Sequence, residues 1–298
     1  MTFDAWIAKM LDALKDESGG KQAKRQKGRR NTNPVMIREI GADGRPAPGG
    51  IAAWLCGVPL VVHEQNSVPG ATTRLLKPLS QRVLTGFPGA LGRRGEHVGN
   101  PVRPEISAIQ APALRLSARS GVLRLLVLGG SQGARRLNQG VPAALEQAGA
   151  EGIEVRHQAG SAGFEATRAD YAARGIAAEV EAFIADMAEA YAWADLVICR
   201  AGALTLAELC AAGAAAILVP YPDAVDDHQA RNAELMVARG AALRLGESDH
   251  FDTQLAAAVG AARGARPRLL AMGEAARALA RADAGARIAD ACLAGPRR

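Results

Sequence analysis

The chain has 298 residues, 49% hydrophobic and 22% charged, which excludes a disordered or fibrous protein and leaves room for roughly two domains. A formal net charge of +6 favours anionic partners such as nucleotides, phosphorylated substrates or acidic lipid surfaces. Three Trp, three Tyr and five Phe, never interleaved with Arg or Lys, argue against a nucleic-acid binder.

The start, Met1-Thr2-Phe3-Asp4, lacks the basic segment and small-residue cleavage site of an exported protein, so a cytoplasmic location is expected. No apolar run reaches the roughly 18 residues of a spanning helix; the nearest, residues 211–219, ends at Pro220. Cys56, Cys199, Cys210 and Cys292 are far apart, with no histidine at ligand spacing, and imply neither a disulfide framework nor a zinc site. Residues 1–48 read differently from the rest. Phe3, Trp6, Ile7, Met10, Leu11 and Leu14 share one helical face, and Lys21 to Arg30 holds six positive charges in ten residues. This leader reads as an amphipathic arm for an anionic membrane surface or as a solvated segment.

From Ile51 an α/β alternation begins. Pro59-Leu60-Val61-Val62 predicts a buried parallel strand, and the polar His63-Glu64-Gln65-Asn66 after it belongs at a ligand-facing carboxyl edge. Gly99-Asn100-Pro101-Val102-Arg103-Pro104 precedes a weakly patterned stretch and marks a domain boundary, placed at residue 110. Strands follow at Val122 to Leu128, Glu154 to His157, Leu196 to Cys199, Ile217 to Val219 and Ala242 to Leu245. The helix-like segments between them predict a doubly wound parallel sheet, and Thr253 to Leu293 predicts one or two helices that cover the sheet or cross back.

Three polar turns fall on one edge of that sheet. Gly129-Gly130-Ser131-Gln132-Gly133 lets the backbone approach a ligand, and the uncapped amides of the next helix suit phosphate oxygens, with Ser131 adding a hydroxyl. Cys199-Arg200-Ala201-Gly202-Ala203-Leu204-Thr205 repeats the theme, and Glu208 one turn further reads either as an acceptor for both hydroxyls of a ribose or as a solvated acid stabilised by the helix dipole. Asp226-Asp227-His228-Gln229 with Asn232 suits sugar hydroxyls better than a metal ion, its histidine being solitary. No metal or cofactor is expected.

In these turns, and in His63-Glu64-Gln65-Asn66, Gly86-Phe87-Pro88-Gly89, Gly99 to Arg103, His157-Gln158-x-Gly160, Phe183-Ile184-x-Asp186-Met187 and Ala192-x-Ala194-Asp195, the chain resembles the MurG family, in order from about Gly49 to its C-terminus. That resemblance implies a GT-B fold, two Rossmann-like doubly wound domains facing a cleft. It also implies inverting transfer of N-acetylglucosamine (GlcNAc) from UDP-GlcNAc to lipid I (undecaprenyl-pyrophosphoryl-MurNAc-pentapeptide), giving lipid II at the cytoplasmic face of the inner membrane. By position, Ser131 would meet the donor pyrophosphate, the Ile184 backbone the uracil, Ala203 to Thr205 the phosphates, Glu208 the ribose and Gln229 the GlcNAc hydroxyls. Asn66 and Arg103 would line the donor side of the cleft, and Leu206 and Ala207 complete the substrate-binding run.

The chain departs from the family near its start. Members open with G-G-T-G-G-H, whose His is the candidate general base, and carry G-Y-x-x-G-P-G-G; here only Pro48-Gly49-Gly50 remains. Three βα units ahead of Val61 would need about 90 residues at roughly 30 each, and the 60 present contain no recognisable pair of parallel strands. The resulting expectation is a leader over 1–48 from a truncated or frame-shifted reading frame, an incomplete acceptor-side domain over 49–110, and a UDP-GlcNAc-binding domain over 111–298 whose last helices pack back. His63 either stands in as catalytic base or orients its loop. The alternatives are a catalytically impaired UDP-GlcNAc-binding remnant and a GT-B epimerase, the latter disfavoured because no acid/base carboxylate pair is recognisable.

Overall fold

Two all-parallel sheets, each covered by helices on both faces, organise the computed structural model, which describes residues 35–38, 46–117, 119–130 and 133–294. The helix expected over Phe3 to Leu14, the basic run and Ser131 lie outside the described residues. The first half runs β1 (Val35–Arg38), α1 (Pro46–Leu55), β2 (Leu60–Glu64), α2 (Ala71–Leu76), β3 (Arg82–Thr85) and β4 (Glu96–His97). Two short helices, α3 (Pro104–Ser107) and α4 (Pro112–Leu116), lead into β5 (Leu123–Leu128), α5 (Arg135–Ala148), β6 (Ile153–Gln158), α6 (Phe164–Ala173) and β7 (Ala178–Glu181). Next come α7 (Met187–Trp193), β8 (Leu196–Cys199), α8 (Ala203–Ala212), β9 (Ala216–Leu218), α9 (His228–Val237) and β10 (Ala242–Arg244). Three helices, α10 (Phe251–Arg263), α11 (Arg266–Ala278) and α12 (Ala284–Leu293), close the chain.

The first sheet has the order β1-β2-β3-β4. Its β1, paired with β2 from Val35 opposite Leu60 to Arg38 opposite His63, was not legible in the sequence, so a parallel pair does precede residue 65. Alternation along β2 sends Leu60 and Val62 to one face, against Leu76 of α2, and Val61 to the other, where Leu84, Val98, Ile288 and Ala291 meet it. The last helix of the chain therefore covers the first sheet, and Arg287 adds an ion pair to Glu96, which also binds Arg82.

The second sheet has the order β10-β9-β8-β5-β6-β7. Leu123, Leu125 and Val127 of β5 pack under α5 and α10, while Leu126 and Leu128 face α7 and α8. Ile106 and Ile109 belong to that second core, so the chain has already crossed between halves by Pro104, earlier than the boundary at residue 110. Arg115 of α4 donates to the carbonyls of Ala212 and Gly213 at the end of α8, where a cation also suits the helix dipole.

One polar cluster lies inside this half. Asn138 Nδ2 donates to the Ala159 carbonyl at 2.9 Å, which turns its Oδ1 toward His157 Nε2 at 3.1 Å. His157 therefore donates from Nε2 and accepts the Tyr171 hydroxyl at Nδ1, 3.0 Å away. Both ring nitrogens are satisfied in the neutral form, and burial pushes the His157 pKa down to about 3. Below pH 6.5 the unfolded chain takes up a proton that the folded chain refuses until about pH 3, so stability falls with pH across that window by about 1 kcal/mol per unit. Urea midpoints at pH 7 and pH 5 should differ in the wild type and differ less in His157→Gln, where the lowered pKa of His97 still contributes.

Candidate functional site

Strand order in the second sheet reverses between β5 and β8, and the loops leaving those strands open the crevice where doubly wound sheets take ligands. After β5, a Cβ on Gly129 would lie 2.9 Å from both the Ala134 amide and the Gln158 carbonyl, so only glycine permits so tight a turn there. After β8, helix α8 starts at Gly202 with no side-chain cap. The N–H groups of Ala203, Leu204 and Thr205 thus begin a helix without an intrahelical partner, aimed out of the carboxyl edge.

Glu208 stands one turn into α8, half-buried, with both oxygens engaged. Arg103 Nη2 reaches Oε1 at 3.0 Å from the segment that joins the two halves, and the Tyr191 hydroxyl donates to Oε2 at 3.1 Å. Tyr191 is fully buried; burial and the Glu208 charge raise its pKa well above the ordinary 10, so it stays a donor. The carboxylate is held from two sides, and its remaining lone pairs are those a pair of vicinal hydroxyls would use. Tyr191 was missed in the sequence because nothing local marks a tyrosine in α7 as the partner of a residue in α8.

The first half reaches the crevice through the loop after β2. The buried Glu64 carboxylate accepts the amides of Asn66 at 2.8 Å and Gly70 at 3.0 Å, which shapes that loop. Asn232 of α9, wholly buried, then joins the halves: its Oδ1 accepts the Ser67 amide and hydroxyl at 2.9 and 2.7 Å, and its Nδ2 donates to Asn66 Oδ1 at 3.3 Å and the Ala201 carbonyl at 3.2 Å. Asp226 and Asp227 adopt φ of 54° and 53°, pinching the turn into α9, and Arg74 of α2 approaches Asp226 at 3.7 Å. Gln229 follows on α9, its Oε1 taken by the Tyr221 amide at 3.0 Å, which leaves its NH2 as the end able to meet a ligand.

Three of the expected residues are engaged by the protein itself. His63 is buried in β2, with Nε2 3.0 Å from the Gly99 carbonyl; a carbonyl can only accept, so this nitrogen is a donor that holds the Gly99 to Arg103 loop, not a base open to the cleft. Leu206 packs its side chain in the core and gives its N–H to the Gly202 carbonyl, so its amide is not free for a diphosphate. Ile184 donates its N–H to Gln158 Oε1 at 3.1 Å, which leaves its carbonyl as the backbone group for a base edge. Ala203, Leu204, Thr205, Ala207 and Glu208 stay together at the head of α8, with Arg103 beside them. Among the described residues, no group of three or more His, Cys, Asp or Glu is placed to hold a metal ion, and no helix is long and apolar enough to cross a membrane.

Comparison with known proteins gives this geometry a context. A transferase from Xanthomonas campestris pv. campestris (strain 8004), named UDP-N-acetylglucosamine--N-acetylmuramyl-(pentapeptide) pyrophosphoryl-undecaprenol N-acetylglucosamine transferase, is 56% identical over 246 residues, covering 83% of this chain and 57% of that protein. The chain thus spans little more than half the length of this relative. A transferase of the same name from Xylella fastidiosa (strain Temecula1 / ATCC 700964) is 55% identical over 83% of this chain and 68% of its own length. The crystal structure of Acinetobacter baumannii MurG superimposes with a TM-score of 0.77 at 36% identity, covering 86% of this chain and 72% of that one, and the two-sheet GT-B arrangement is common to both. The glycosyltransferase family 28 N-terminal domain model matches residues 10–85, reaching into the segment 1–48, and the family's C-terminal domain model matches residues 124–288. With more than half of its length inside the second of these matches, the chain belongs to glycosyltransferase family 28.

Proposed function

We propose that this chain transfers GlcNAc from UDP-GlcNAc to lipid I, forming lipid II. The observation that carries this reading is the uncapped head of α8 with Glu208 one turn on, fixed between Arg103 and Tyr191: free amides for a diphosphate beside a hydroxyl-accepting carboxylate. The Ile184 carbonyl would meet the uracil, the amides from Ala203 to Thr205 the diphosphate, Glu208 the ribose, and Gln229 with Asn66 the sugar; Ser131 and Ala207 complete the lining by position. In the reaction, the acceptor hydroxyl forms a bond to the anomeric carbon as the bond to the β-phosphate oxygen breaks and the hydroxyl proton passes to a base. The pair of electrons leaves on UDP, whose growing charge falls in the field of the α8 amides, with no metal required between protein and diphosphate.

The acceptor is a polyprenyl lipid, so the reading includes peripheral attachment to the anionic cytoplasmic face of the inner membrane. Exposed Trp54 and Leu55 at the end of α1 and Leu75 on the neighbouring α2, beside Arg74, support a contact of that kind. Calorimetric titration with UDP-GlcNAc, paired with transfer of labelled GlcNAc to a lipid I analogue, tests the proposal: binding with transfer is expected. Binding without transfer would leave a donor-binding remnant, and no binding would overturn the site. His63→Gln, which keeps a donor for Gly99, should retain at least a third of wild-type transfer; loss of a general base would instead cost about 100-fold or more.

A further inference from the structure

The chain passes between its halves twice, at Gly99 to Arg103 and again at Leu279 to Asp283, and the two passages touch. Gly99 has φ of +91°, and a Cβ there would fall 2.5 Å from Arg281 Cβ, so the arginine stem lies directly on the first passage. Beside this contact is a cavity of about 300 Å³. Phe87 and Val102 wall it from the first half and the first passage, Cys210 and Met236 from α8 and α9, and Leu279 from the second passage. Leu206 and Ala207 of α8 also line it, whereas Glu208, Arg103 and Gln229 do not, so it adjoins the crevice described above without containing its carboxylate.

Its charge is one-sided. Arg239 and Arg281 line the cavity, both exposed, and neither has an ion pair among the described residues. No Asp or Glu lines it. His97 adds no charge at neutral pH: burial and the nearby Arg281 hold its pKa below 6.5, and its Nε2 lies 3.2 Å from the Gly86 carbonyl. Apolar walls with two unneutralised guanidinium groups suit a ligand with an apolar body and one anionic head, and the volume lies at the small end of ligand sites.

We propose that this cavity binds a small soluble amphiphilic anion, a carboxylate or sulfonate on an alkyl or aryl body, whose head is taken by Arg239 and Arg281 and whose body joins the two passages. The inference is independent of the transferase reading. The test is fluorescence titration of the full chain with anilinonaphthalene sulfonate, with decanoate as competitor and UDP as control. One saturable site displaced by decanoate is expected, together with a ligand-dependent rise in Tm. Arg239→Ala with Arg281→Ala should weaken binding at least tenfold, Lys at both positions should keep it within threefold, and Leu279→Trp should abolish it by filling the space. Unchanged affinity in the double Ala variant, unchanged affinity in Leu279→Trp, or displacement of the probe by UDP would each overturn the assignment.

Discussion

Replacing Glu208 by Ala is expected to weaken UDP binding about 100-fold, corresponding to two hydrogen bonds from ribose hydroxyls to a charged acceptor at roughly 1.5 kcal/mol each. The side chain is already positioned, with Arg103 on Oε1 and the Tyr191 hydroxyl on Oε2, so the ligand does not have to order it. Glu208→Gln keeps one acceptor oxygen and loses the ion pair with Arg103; its expected cost is about tenfold. Isothermal titration with UDP and with its 2′-deoxy analogue separates this role from a structural one. The wild type should favour UDP over the analogue, and the Ala variant should treat the two alike. A Kd for UDP within twofold of wild type in Glu208→Ala would remove Glu208 from the site.

Asp195→Ala is expected to lower stability by about 3 kcal/mol, the lower end of the range for a buried charge pair that loses one partner. The Asp195 side chain is 1% exposed and takes Arg119 at 2.7 Å on Oδ1, and Arg266 at 3.2 Å and the Arg124 amide at 3.1 Å on Oδ2. Those donors come from three places: the linker after α4, the start of β5 and the first turn of α11. The carboxylate thus fixes where the linker and α11 meet the second sheet. Both arginines also donate to backbone carbonyls, Arg119 to Trp193 and Arg266 to Val122, which keeps them anchored and the cost near the lower end. A fall in Tm of roughly 6–10 °C should follow, and Asp195→Asn, which keeps one acceptor, should lose about half as much. A shift under 2 °C in the Ala variant would show that the cluster contributes little to stability.

Strands buried on both faces were legible in the sequence because burial forces continuous apolar runs. Val122 to Leu128, Leu196 to Cys199 and Ile217 to Val219 all emerged within a residue or two of their places in the sheet. Strand β7 did not, because it lies at the sheet edge and its Glu179 and Glu181 face Arg156 of β6, giving a polar pattern that resembles a loop. The two-residue β4 is too short to carry a pattern.

The chemistry divided in the same way. The sequence determined the glycine turns after β5 and β8, the acid one turn into α8 and the membership of the chain in its family, because backbone conformation and helical spacing are local. Only the tertiary structure decided which side chains face the crevice and which hold it together. His63 and Leu206 fell within motifs yet turn to the Gly99 carbonyl and the core, whereas Tyr191, Ser67 and the cross-half role of Asn232 have no local signature. A hydrogen bond between residues 165 positions apart, such as that from Ser67 to Asn232, exists only once two sheets have folded and met, so no pattern in either segment can announce it.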